Sequence, residues 1–177
     1  GRTGILHGGL LGTTAQRTMR YATVQVLTVP ELAKAQDYNN IIFATDFADP
    51  EEVLVELPPV MKFSDLYDAT VHTTVVNSAY AIIPKKEIEA AFKTIKAKYS
   101  DYKLELKIVD GDTVPRGIFN AADDLDADLI AIETDGSTGL LGWFIGSVTE
   151  ELAAETNIPL LVIPSPEKIR KRKKKKK

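Results

Sequence analysis

The chain has 177 residues, 44% of them hydrophobic, which suits one domain with a buried core and something more. It has no cysteine, so disulfides and thiolate metal sites are excluded, and a cytoplasmic setting fits; no apolar run approaches the ~18 residues of a membrane span. The net charge of −3 hides a split, because residues 168–177 hold 9 of the 22 basic residues and leave 13 basic against 25 acidic in the rest, a net of −12.

An acidic body argues against a nucleic-acid-binding fold. The lysine-rich end is a like-charge block and reads as a disordered, solvated tail over 165–177; contact with an anionic lipid surface or nucleic acid is the functional alternative. The N-terminus lacks a basic-then-apolar signal segment.

Residues 1–30 begin inside a glycine-rich loop that ends at Gly12. Thr13 and Gln16 have capping-box spacing, so a short helix is expected to about Tyr21, followed by a strand over 24–29 that Pro30 stops. Residues 31–39 read as a polar linker. Ile41-Ile-Phe-Ala-Thr45 is an apolar run ended by Asp46, the mark of a buried parallel strand. Asp49-Pro50-Glu51-Glu52 reads as a helix start. That helix is expected to break at Pro58-Pro59, which have no N–H to give, and to resume over 60–67.

Residues 70–76 form a β-branched strand. Residues 84–99 form an amphipathic helix with Ile88, Phe92, Ile95 and Tyr99 on one face and Glu89–Lys93 as a supporting pair. Residues 103–109 alternate as a strand, Asp110-Gly111-Asp112 turn, and 113–125 form a helix with Ile118, Ala121, Ala122 and Leu125 inward. A strand over 128–132 runs into the glycine-rich loop 133–146. Ser147 and Glu150 have S-x-x-E spacing, so a capped helix is expected over 147–156, and 159–163 is the last strand.

The two ends of the chain repeat each other. A shift of 134 residues carries Gly12 onto Gly146, Thr13 onto Ser147, Gln16 onto Glu150 and Pro30 onto Pro164 without a gap. The order expected is 1–30 as the closing part of a preceding repeat, 31–39 as linker and 40–164 as a complete repeat. Alternating strands and helices in the complete repeat imply a doubly wound parallel α/β sheet, with ligands beyond the carboxyl ends of the strands where the order reverses. Gly146 and Ser147 then read two ways. They suit a phosphate cradle at a helix N-terminus, and equally a plain capped helix start.

Taken together these residues resemble the universal stress protein family. Gly136 and Gly146-Ser147 keep the nine-residue spacing of its G-x2-G-x9-G-[S/T] loop; Asp46 matches the aspartate after its opening strand, Val75 the valine closing its second strand, and Gly111 the glycine before its third helix. The resemblance covers residues 38–164, and 1–30 match the tail of another copy. It implies a five-stranded parallel sheet of order 3-2-1-4-5, with an extra strand and helix from the preceding repeat at the last-strand edge. It also implies pairing through the last strands, either as a homodimer or between tandem repeats, and a role in stress response through a protein partner that the sequence does not name. In ATP-binding members the matching positions contact the nucleotide, so the resemblance implies Asp46, Val75, Gly136, Gly146 and Ser147 as site residues, with Mg²⁺ arriving only with ATP.

One position departs from the pattern: Glu133 replaces the first glycine. A carboxylate near phosphates costs roughly 1–4 kcal/mol at 4 Å between water-like and surface-like dielectric. Glu133 therefore reads as a blocker, which favours a regulatory or scaffold module with weakened or absent nucleotide binding over an ATP-binding switch. A ribose hydroxyl or a cation is the alternative contact for Glu133. Asp46 either contacts adenine or caps a turn. His72 reads as a packed strand histidine, His7 has no partners in its loop, and Trp143 reads as packing. Two histidines and no cysteine give no transition-metal cluster. No Ser/His/Asp spacing supports nucleophilic catalysis, so the chain reads as a non-enzyme with slow ATP hydrolysis as the one activity left open.

Overall fold

The computed structural model describes residues 13–31, 33, 37–47, 50–78, 83–134 and 145–165. Eleven elements follow in order: α1 (Thr13–Tyr21), β1 (Val26–Thr28), β2 (Asn40–Ala44), α2 (Pro50–Tyr67), β3 (Thr70–Asn77), α3 (Lys85–Lys98), β4 (Leu104–Asp110), α4 (Val114–Asp124), β5 (Leu129–Thr134), α5 (Ile145–Glu155) and β6 (Leu160–Pro164). They form one mixed six-stranded sheet, ordered β1-β6-β5-β2-β3-β4. Strands β2 to β6 pair in parallel, and β1 pairs antiparallel with β6.

The chain leaves β2 toward β3 and β4, then returns past β2 to β5 and β6. The order therefore reverses between β2 and β5, which are direct neighbours through Ile41↔Leu129 to Ala44↔Ile132. Two apolar layers flank the sheet, because successive strand side chains point to opposite faces. One layer holds Ile41, Phe43, Val71, Val75, Leu129 and Ala131 against α2 and α3. The other holds Ile42, Ile130 and Ile132 with Ile118 of α4, Leu152 of α5 and Met19 of α1.

Helix α2 is continuous through Pro58 and Pro59 rather than broken there. The prolines remove two N–H donors from the helix ladder, but Val53, Leu57, Val60 and Met61 are all at most 2% exposed and hold both halves against one core layer. Tertiary burial outweighs the local cost of the two missing bonds. Glu89 of α3 pairs with Lys85, one turn earlier, at 3.7 Å. Thr113 caps α4, its hydroxyl accepting from the Arg116 N–H at 3.4 Å. A Cβ on Gly117 would lie 2.3 Å from Val76 Cγ1, so glycine there lets α4 sit directly on β3.

Strand β1 is shorter than the expected 24–29 run, with Val24 and Val29 exposed at 65% and 59% beyond its ends. Its register is Val26↔Val162, Leu27↔Leu161 and Thr28↔Leu160. Arg20 of α1 forms an ion pair with Glu150 of α5, so the first helix–strand unit docks on the last one. The outer edge of β6 is thus occupied by β1 of the same chain. The expected helix start at Asp49 and the tail from residue 166 lie outside the described residues.

Candidate functional site

The carboxyl ends of β2 and β5 lie side by side at the reversal point, the place where ligands bind open α/β sheets. Asp46 is there, half-buried, directly after β2. The next residue, Phe47, is 5% exposed and has φ of 53°, a left-handed backbone that a bulky residue rarely adopts. Its ring belongs to the α2-side core, and that burial holds the strained turn.

Val75 and Val76 close β3 but point to opposite faces. Val75 is 1% exposed inside the layer under α2 and α3. Val76 packs on the α4 side, against Gly117. Helix α5 also packs on that side, through Val148 and Leu152. Of the two valines, Val76 is therefore the one that shares a face with the α5 N-terminus. The expected site residue Val75 thus lies on the α2 and α3 side of the sheet, and its neighbour Val76 on the α4 and α5 side.

Helix α5 begins at Ile145, two residues before the expected start, so Gly146 and Ser147 fall inside its first turn. First-turn N–H groups have no intrahelical acceptor and point out of the helix end. The carboxylate of Glu150, in the next turn, pairs with Arg20 of α1. Gly136, Trp143, His7 and the side chain of Ser147 lie outside the described residues.

Glu133 sits at the exit of β5. Leu129 and Ala131 belong to the α2-side layer and Ile130 and Ile132 to the α5-side layer, so alternation turns Glu133 toward α2. Its register partner Ile163 lies on that same side. There the carboxyl of Glu56, 6% exposed, hydrogen-bonds to it. Burial, then the hydrogen bond to Glu133, then the charges of Glu133, Glu52 and Asp46 push the Glu56 carboxyl up to about 10. At neutral pH the Glu56 carboxyl is thus protonated. The parity of β5 thus turns Glu133 toward the α2 side of the sheet.

Glu56 was not anticipated as part of the site. It falls on the inward stripe Val53-Glu56-Leu57-Val60 of α2, and an acid on an apolar stripe is the signal that could have found it. Beside β2, the ends of β3 and β4 and the start of α4 frame an open polar depression of about 670 Å³, lined among others by Asn77, Ser78, Gly111, Arg116 and Asn120. The Asn77 Oδ1 is buried there without a hydrogen-bond partner. His72 lies toward the opposite, amino end of the strands. Its Nε2 is 3.1 Å from Asn40 Oδ1 and its Nδ1 3.5 Å from Glu105. Burial lowers its pKa, as does Lys107, while Glu105 opposes them. Among the described residues no group of three His, Cys, Asp or Glu side chains could hold a metal ion.

The universal stress protein family model matches residues 58–164. The chain belongs to the universal stress protein family. A search of curated proteins gives no match. Among solved structures, the fold is similar to the protein PA1789 of Pseudomonas aeruginosa PAO1, with a TM-score of 0.67 and 22% identity over 93% of this chain and 60% of that one. A universal stress protein of Archaeoglobus fulgidus gives 0.65 and 16% identity, over 88% of this chain and 55% of that one. The chain therefore spans a little over half of these longer structures. A universal stress protein in complex with cAMP gives 0.55 and 18% identity over 72% of this chain and 98% of that one. Such identities establish the shared fold. No described helix is long and apolar enough to cross a membrane.

Proposed function

We propose that this chain is a regulatory module of the stress response that binds an adenine nucleotide at the carboxyl ends of β2 and β5. The observation that carries this reading is the orientation of Glu133, whose side chain leaves the α5 face and bonds to Glu56. That orientation supports a phosphate side without the Glu133 carboxylate. The first turn of α5 offers outward N–H groups and the positive end of the helix dipole to an anion. Gly146 leaves that turn without a side chain at its second position. Val76 and Asp46 flank the base end, Gly136 and Ser147 belong to the loop motif, and Val75 supports the strand from the core side. When ATP is bound, Mg²⁺ comes with its phosphates. The cAMP complex of a relative supports a nucleotide of this class.

A second reading concerns assembly and has its own observation. Leu27↔Leu161 joins positions 134 apart, the shift that superposes the two sequence copies. The flanking pairs Val26↔Val162 and Thr28↔Leu160 interchange under the same shift. A pseudo-two-fold axis therefore passes through the Leu27–Leu161 pair, as in an isologous contact. We read α1 and β1 as the closing unit of a preceding repeat, paired internally where single-repeat chains would pair as homodimers. Structural matches that cover nearly all of this chain but little over half of their own length support this tandem reading.

The experiment is a thermal melt of the full chain with and without millimolar ATP–Mg²⁺ or cAMP. Binding to the native state alone raises stability by RT ln(1 + [L]/Kd), about 2.7 kcal/mol at a hundredfold excess over Kd. A shift in wild type that persists in Glu133→Gly supports the reading. No shift in wild type with a clear shift in Glu133→Gly restores the blocker, and no shift in either removes the nucleotide.

A further inference from the structure

His72 sits toward the amino ends of the strands, away from the nucleotide reading, which makes no use of it. Val71 and Val75 face α2 and α3, so alternation sets the His72 ring on the α4 side, where it is 6% exposed. Each ring nitrogen has an oxygen in front of it, and the two oxygens come from different strands. Asn40 of β2 holds its Oδ1 3.1 Å from Nε2. Glu105 of β4, directly opposite His72 in the register, holds a carboxylate oxygen 3.5 Å from Nδ1. A neutral imidazole has a single N–H, so it can donate to only one of these acceptors. The first distance lies within hydrogen-bond range and the second beyond it, which puts the neutral ring's proton on Nε2 and leaves Nδ1 bare before Glu105. Asn40 is fixed in turn by Asp128, just before β5, whose carboxylate accepts from the Asn39 and Asn40 N–H groups at 2.9 and 3.1 Å. The remaining charge acting on the ring is Lys107 of β4, which pairs with Asp124 of α4 at 3.1 Å.

We propose that His72 is a pH-operated tie between strands: neutral, it joins β3 to β2 through Asn40, and protonated at Nδ1 it also joins β3 to β4 through Glu105. Protonation changes Nδ1 from an acceptor into a donor and makes the Glu105 contact a charge-assisted hydrogen bond. Strand β4 ends the sheet and has a neighbouring strand on one side only, so a bond added there acts on an edge held by β3 alone. Burial first, and Lys107 after it, oppose the charge, while Glu105 favours it; the change therefore falls below the ordinary imidazole value of 6.5. The tie is made on acidification and is absent at neutral pH. It offsets part of the destabilisation that a buried charge brings.

The test is a ¹⁵N NMR titration of the imidazole nitrogens in the full chain from pH 8 to pH 5, in wild type, Glu105→Gln and Asn40→Ala. The chain has two histidines, and His72→Gln identifies which signals belong to His72. In wild type the neutral ring should carry its proton on Nε2, and Nδ1 should gain one with a midpoint below 6.5. Glu105→Gln replaces a side chain that is 65% exposed, so the fold is not at risk, and it should move that midpoint to lower pH. Asn40→Ala keeps the backbone bond to Asp128 and should shift the neutral ring toward the Nδ1–H tautomer. Hydrogen exchange reads the tie itself: the ratio of β4 amide protection in wild type to that in Glu105→Gln should rise as His72 becomes charged. A neutral wild-type ring with its proton on Nδ1 overturns the proposal. So does a midpoint that ignores Glu105→Gln, or a protection ratio that stays flat across the titration.

Discussion

Raising the pH from 7 to 9 should destabilise this protein, and Glu56→Gln should remove most of the effect. The folded Glu56 carboxyl is pushed up to about 10 from an ordinary 4.5, with burial as the first cause. An unfolded chain releases this proton as the pH passes the ordinary value; the folded protein keeps it until near 10. The unfolded state therefore binds fewer protons across that interval, and stability falls as pH rises. Each pH unit inside the interval is worth up to about 1.4 kcal/mol, so the step from pH 7 to pH 9 costs about 3 kcal/mol as an upper bound. At 6% exposure, solvent screening discounts little of it. For a chain of 177 residues that is a fall in Tm of roughly 6–12 °C, at ~2–4 °C per kcal/mol. The window stays above the range where His72 titrates. The assay is urea unfolding followed by circular dichroism at pH 7, 8 and 9. A denaturation midpoint that is flat over this range, or an equal slope in Glu56→Gln, refutes the assignment of a protonated Glu56.

Other perturbations read other parts of the fold. Gly117→Val should destabilise by about 1–3 kcal/mol, because its Cβ would meet Val76 at 2.3 Å, and chemical denaturation gives the value directly. Leu152→Ala empties a fully buried position in the α5-side layer and should cost about 2–5 kcal/mol in the same assay. Pro58→Ala should stabilise by about 1–3 kcal/mol, since α2 is already continuous and regains an N–H donor; a lower Tm would show that proline's rigidity matters more. His72 has a lowered pKa, so the unfolded state takes up its proton first as pH falls below 6.5. Stability should decline on that acid side, and His72→Gln should flatten the decline in a melt series from pH 6.5 to 5.

Much of this protein was legible from the residues alone. Ile41–Phe43 entered the core as a fully apolar run must, and Thr113 capped α4 as its hydroxyl allows. The family loop spacing and the repeat at 134 residues needed no coordinates. What failed locally failed for identifiable reasons. Pro58-Pro59 obeyed the core contacts of Leu57 and Val60 rather than the rule for isolated helices. Helix α5 starts at Ile145, ahead of Ser147, and Glu150 pairs with Arg20 from a distant helix, a contact no local pattern announces.

The periods of the sequence determined the strands, the helices and the end of the sheet where a ligand would sit, because those follow from each residue's immediate neighbours. The face to which a side chain turns follows instead from strand register, and a shift of one residue reverses it. Val75 and Val76 are separated by that step alone. The parity of β5 turns Glu133 to the side of the sheet where Glu56 of α2 is buried. Only the packed sheet brings those two carboxyls, far apart in the chain, together.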